Sequence, residues 1–136
     1  MATENRVLDL SFIAAESLAS DQYRIMILDP STGKVRRPDH ATTDSASQIG
    51  VLQNAPASGE AAVVRVMGIS KIVLGETVAV GEYIKLEYNS ASDAGKALDA
   101  DGALDVVCGI CVLGGAEDDL GEVLLPGATW QVGAAS

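Results

Sequence analysis

Apolar and polar positions alternate over short stretches, and each stretch stops at a turn-forming residue. Leu8, Leu10 and Phe12 share one face of a strand over 6–12, with Asp9 and Ser11 on the other. That period of two is the mark of a half-buried strand. The run 14–19, Ala-Ala-Glu-Ser-Leu-Ala, predicts one short helical turn. Apolar residues return over 23–28, and Asp29-Pro30-Ser31-Thr32-Gly33 closes that strand. In this turn Pro presets φ and Gly accepts a positive value. Residues 34–36 read as a short return strand ended by Pro38, and 39–47 as a small, polar loop.

Strands follow over 49–52 and 61–66, separated by a turn at 56–60. Gly68 is expected to break the second of these, with a new strand over 69–74. Gly75 and Gly81 bracket a short piece at 77–80, and further strands fall at 83–88, 106–113 and 122–125. A turn is expected at 99–102, and Pro126-Gly127 ends the last strand. About ten short, turn-punctuated strands predict an all-β protein, a compact β-barrel or sandwich of short antiparallel strands. The chain also echoes itself. Ile49-Gly50-Val51 leads to Gly59-Glu60 and a valine-rich strand; Cys108-Gly109-Ile110 leads to Gly121-Glu122-Val123. Two copies of one hairpin would produce this pattern.

Composition narrows the function. The 136 residues suit one domain, and 48% of them are hydrophobic, enough for a packed core and too many for a disordered chain. Nineteen acidic against nine basic residues give a formal charge of −10. Such a chain repels nucleic-acid phosphates and anionic membrane surfaces, so neither is an expected partner. No apolar run nears the roughly 18 residues of a membrane span, and residues 1–6 do not read as a signal peptide. Two cysteines cannot build a disulfide scaffold and are expected to be reduced.

Candidate chemistry is sparse. Cys108-Gly-Ile-Cys111 is a CxxC, but it lies in an apolar strand-like run rather than at a helix start. Residues three apart on a strand point to opposite faces, so the two sulfurs are expected to diverge. His40 is the only histidine, which leaves a metal site short of ligands, and no metal or cofactor is expected. Asp99-Ala-Asp-Gly102 lacks the later ligands of a calcium loop, and Glu117-Asp118-Asp119 reads as a solvated acidic loop. No P-loop, nucleophile elbow or paired carboxylate motif is present, so catalysis is not expected. Two features suit association instead. Residues 1–5 are polar and form a candidate arm, and Trp130, the only tryptophan, sits among small residues as a candidate anchor.

Several blocks then form a familiar order. They are Tyr23-Arg24-Ile25-Met26 with Gly33-Lys34-Val35, the block 49–60 (Ile-Gly-Val-Leu-Gln-Asn-Ala-Pro-Ala-Ser-Gly-Glu), and Val63–Val66 followed by Met67-Gly68-Ile69-Ser70-Lys71. This order resembles the capsid decoration (head cement) proteins of tailed bacteriophages, including the DUF2190-type family. Gly81-Glu82-Tyr83-Ile84, Gly95-Lys96-Ala97 and the closing Cys108-Gly109-Ile110 with Gly121-Glu122-Val123 extend the resemblance over residues 6–127.

The resemblance implies a non-enzymatic protein on the outer surface of the expanded head, made in the host cytoplasm. There it would bind the major capsid protein as a homotrimer and staple neighbouring shell subunits against internal DNA pressure. The expected organisation is an extended N-terminal arm (1–9), a β-barrel decoration domain (10–127) and a C-terminal tail (128–136). Thr3, Glu4, Asn5, Arg6, Val7 and Trp130 are the expected capsid or subunit contacts. The alternatives are a tail or baseplate structural β-domain and a redox accessory protein using the CxxC.

Overall fold

The computed structural model describes residues 7–39, 44, 47–102, 105–127 and the backbone of 130–131. Eleven strands run through them: β1 (Leu8–Ile13), β2 (Ile25–Leu28), β3 (Val35–Arg36), β4 (Gln48–Leu52), β5 (Ala61–Val73), β6 (Tyr83–Leu86), β7 (Ala97–Asp99), β8 (Val106–Val107), β9 (Gly109–Leu113), β10 (Leu120–Pro126) and β11 (Trp130–Gln131). Nine form one antiparallel sheet in the order β3-β2-β4-β5-β10-β9-β6-β7, with β1 also paired to β5. The sheet curls into a half-barrel, while β8 and β11 pair separately. The all-β expectation therefore holds, as an open curled sheet.

This order contains a duplication. From the two ends inward, β3-β2-β4-β5 and β7-β6-β9-β10 have the same connectivity. The register agrees residue by residue. Val51 faces Arg65 and Leu52 faces Val64; Ile110 faces Leu124 and Cys111 faces Val123, a spacing of about 59 residues. Ile13 faces Ala61 as Val73 faces Leu120, so the first half of β5 ends one repeat and its second half starts the next. Turn hydrogen bonds repeat as well. The Gly59 amide donates to the Ala14 carbonyl at 2.9 Å, and the Asp118 amide donates to that of Leu74 at 2.7 Å. The hairpin echo in the sequence is thus real, with one correction: Gly59-Glu60 is equivalent to Asp118-Asp119, not to Gly121-Glu122. Gly59 (φ 83°) and Asp118 (φ 69°) adopt the same left-handed turn, which Asp tolerates without being glycine.

The core comprises two apolar clusters, and β2 alternates between them. Ile25 and Ile27 join the larger, with Val51, Ile72, Leu74 and Ile84; Met26 joins the smaller, with Leu18, Val35, Leu52 and Val64. At Gly50 the pairing of β4 with β2 slips by one residue, so Ile49 falls on the Leu52 side rather than the Val51 side.

Four local expectations are overturned. Residues 14–19 form no helical turn, because Ala14 bridges to Val35 and the Ala15 amide donates to the Val35 carbonyl. Gly68 does not end a strand: at φ 104° it lies within β5, and pairing with β10 runs straight through it. The run 106–113 divides at Cys108 into β8 and β9. The 77–80 piece contributes one bridge, Val78 to Gly115.

Candidate functional site

A groove of about 320 Å³ opens between one face of β1 and the bulged strand β4. Leu8, Leu10 and Phe12 form one wall, Gln48, Ile49 and Val66 line it too, and Cys108, Leu125, Pro126 and Gly127 complete the lining. The alternation in β1 is as read from the sequence, but its apolar face looks into this groove and stays partly exposed. Gly50 makes the close approach possible, since a Cβ there would run into the Arg65 carbonyl oxygen. At the groove, Gln48 is almost fully buried. Its amide nitrogen donates to the Val106 carbonyl at 3.3 Å, while its Oε1 has no hydrogen-bond partner among the described residues. A buried acceptor left in this state costs stability until a donor arrives.

A second apolar surface crosses the sheet. Ile69, Leu124, Ile110 and Tyr83 are successive cross-strand partners on β5, β10, β9 and β6, so their side chains share one face. Ile69, Leu124 and Tyr83 are all exposed, and Met67 extends the row opposite Pro126. Arg24, Arg36, Arg37, Arg65, Lys85 and Lys96 are each engaged in an ion pair with a carboxylate of this chain.

Titratable groups serve the fold. The Arg65 guanidinium, 2.8 Å from Asp9, holds that carboxyl below its ordinary value and ties β1 to β5. Asp21 is buried between Arg24 and Arg37, and desolvation still pushes its carboxyl up. Lys96 lies 2.7 Å from Asp118 and 3.1 Å from Asp93, which raises its amine. Glu117-Asp118-Asp119 is accordingly a structured turn, with Asp119 accepting from the Ala116 amide at 2.9 Å. Burial drives the Cys108 thiol up to about 12. Cys108 and Cys111 are both free and belong to the same buried cluster. The expected divergence to opposite faces does not occur, because the strand breaks at Cys108 and alternation breaks with it. Among the described residues, no group of three His, Cys, Asp or Glu side chains could hold a metal ion.

The expected contact residues fall mostly outside this description. Thr3, Glu4, Asn5 and Arg6 lie outside the described residues, as does His40. Val7 is exposed at the open end of β1, and the backbone of Trp130 pairs opposite Val107. The groove and the row were not singled out from sequence. A signal existed in Val123-Leu124-Leu125, since a strand apolar on both faces expects cover on both.

No family model and no curated protein matches the sequence. Among solved structures, the fold is similar to one described as the head fiber gp8.5 N base in bacteriophage phi29. The TM-score is 0.63 at 14% identity, over 92% of this chain and 98% of that one.

Proposed function

We propose that this chain is a non-enzymatic structural protein of the bacteriophage head, attached to the outer surface of the capsid as a homotrimer that bridges major capsid subunits. The observation that carries the reading is the likeness to a head fiber base along nearly the whole of both chains. The exposed apolar row and groove support it, as surfaces suited to adhesion. A charge of −10 keeps such a protein from competing for packaged DNA. The action is mass-action stapling. A ligand that binds only the assembled shell shifts the equilibrium towards it, and many copies multiply a modest energy per site.

The test is co-sedimentation with purified expanded heads lacking the protein. Saturable binding in proportion to shell subunits, with raised resistance of the heads to heat, is expected. Binding at only a few copies per particle would indicate a tail or baseplate location and overturn the reading. Residues 1–6 are proposed to contribute to docking, so a chain starting at Val7 should fold yet occupy fewer sites. Undiminished occupancy would remove the arm from the contact.

A further inference from the structure

The duplication makes one comparison possible that a single domain does not offer: each surface of one repeat has a counterpart in the other. Groove positions Leu10, Phe12, Ile49 and Val66 correspond to Ser70, Ile72, Cys108 and Leu125 in the second repeat. The first set is partly exposed, with Leu10 at 41%; the second is buried, none above 3%. What covers the second set is the first repeat. Ile25, Ile27 and Val51 pack into the same cluster as Ile72, Cys108 and Leu125, and the Gln53 amide donates to the Ser70 hydroxyl at 2.8 Å.

The covering residues have counterparts too. Ile25 faces Val51 as Tyr83 faces Ile110. Ile25 and Val51 are fully buried, whereas Tyr83 is 47% exposed and Ile110 is partly exposed. So the chain contains one complete junction between repeats, plus a partly exposed groove walled mainly by the first repeat and a partly exposed counterpart of the covering face on the second.

We propose that the Tyr83–Ile110 face of one copy seats in the Leu8–Leu10–Phe12 groove of the next, repeating between chains the junction already present within the chain. The two surfaces differ, so the contact is heterologous and propagates head to tail until a ring closes. The inference rests on the homotrimer reading only for the size of that ring. Three observations support a second copy as the occupant. The internal junction shows that these two kinds of surface fit together. Leu8, Leu10, Phe12, Tyr83 and Ile110 are all uncharged, so seating them together buries no charge of their own. Finally, Gln48, which lines the groove, has no partner for its buried Oε1 among the described residues, so the groove wall holds one unsatisfied acceptor.

The test uses two variants of the full chain, Leu10→Glu and Tyr83→Glu, at positions exposed enough for folding to survive. Circular dichroism checks that both fold. Sedimentation should show an oligomer for the unmodified protein and a monomer for each variant. An equimolar mixture should form dimers and go no further, because it holds one intact groove and one intact face. No dimer in the mixture, loss of assembly in only one variant, or a monomeric unmodified protein would each overturn the inference. Binding to heads is measured separately, so a head-binding protein that fails this test loses the junction and keeps the capsid reading.

Discussion

Gly50 and Gly109 hold equivalent places, each beneath a carbonyl of the neighbouring strand. A Cβ at Gly109 would lie 2.5 Å from the Leu124 oxygen, and one at Gly50 would strike that of Arg65. Gly50→Ala and Gly109→Ala should each destabilise by about 2–3 kcal/mol, read from chemical denaturation, as overpacked sites do. Glu87 should respond in the opposite direction. Desolvation and the nearby Asp93 raise its carboxyl above the ordinary 4.5, so its charge opposes folding at neutral pH. Glu87→Gln is expected to raise Tm at pH 7, with the gain vanishing as the pH falls through the raised value and the native carboxyl takes up its proton. Gly50 was legible as a glycine inside an apolar run. Tyr23 was not: it adopts φ 65°, a conformation unusual for a bulky residue, with its amide and carbonyl both committed, to Leu52 and Val73. Nor was the orphaned oxygen of Gln48, which depends on a pairing 58 residues away.

Strands were legible where alternation met a turn, and less so where tertiary pairing decided. β7 has only three residues and is held by β6 and a bridge to Leu74, which no local pattern announces. Gly68 misled because glycine weakens an isolated strand, whereas here partners keep β5 continuous through it. Two measurements address elements directly. Cys108 and Cys111 should resist thiol reagents in the native protein and react on unfolding, and replacing both with Ala should leave head binding unchanged. The tie between β1 and β5 should be pH-dependent. Asp9 titrates below its ordinary 3.8 in the folded state, so its stabilisation is full above that value and lost as acid takes the pH through the depressed one. Asp9→Asn should lower Tm at pH 7 and have little effect in strong acid.

Across the whole molecule, the duplication was only faintly legible because the repeats share backbone geometry more than residue identity. Ser70 stands where Leu10 stands, and Asp118 where Gly59 stands, so a residue-by-residue comparison sees little. Glycines at close approaches and the spacing of turns carried the echo, and the register made it exact enough to pair each residue with its counterpart. One strand, β5, is both the close of the first repeat and the start of the second. Neither half owns it, so thermal fraying at one end of the half-barrel draws on hydrogen bonds that the other end also uses. Calorimetric and van't Hoff enthalpies should therefore coincide in a single melting peak, and a two-step profile would show that the shared strand does not couple the halves.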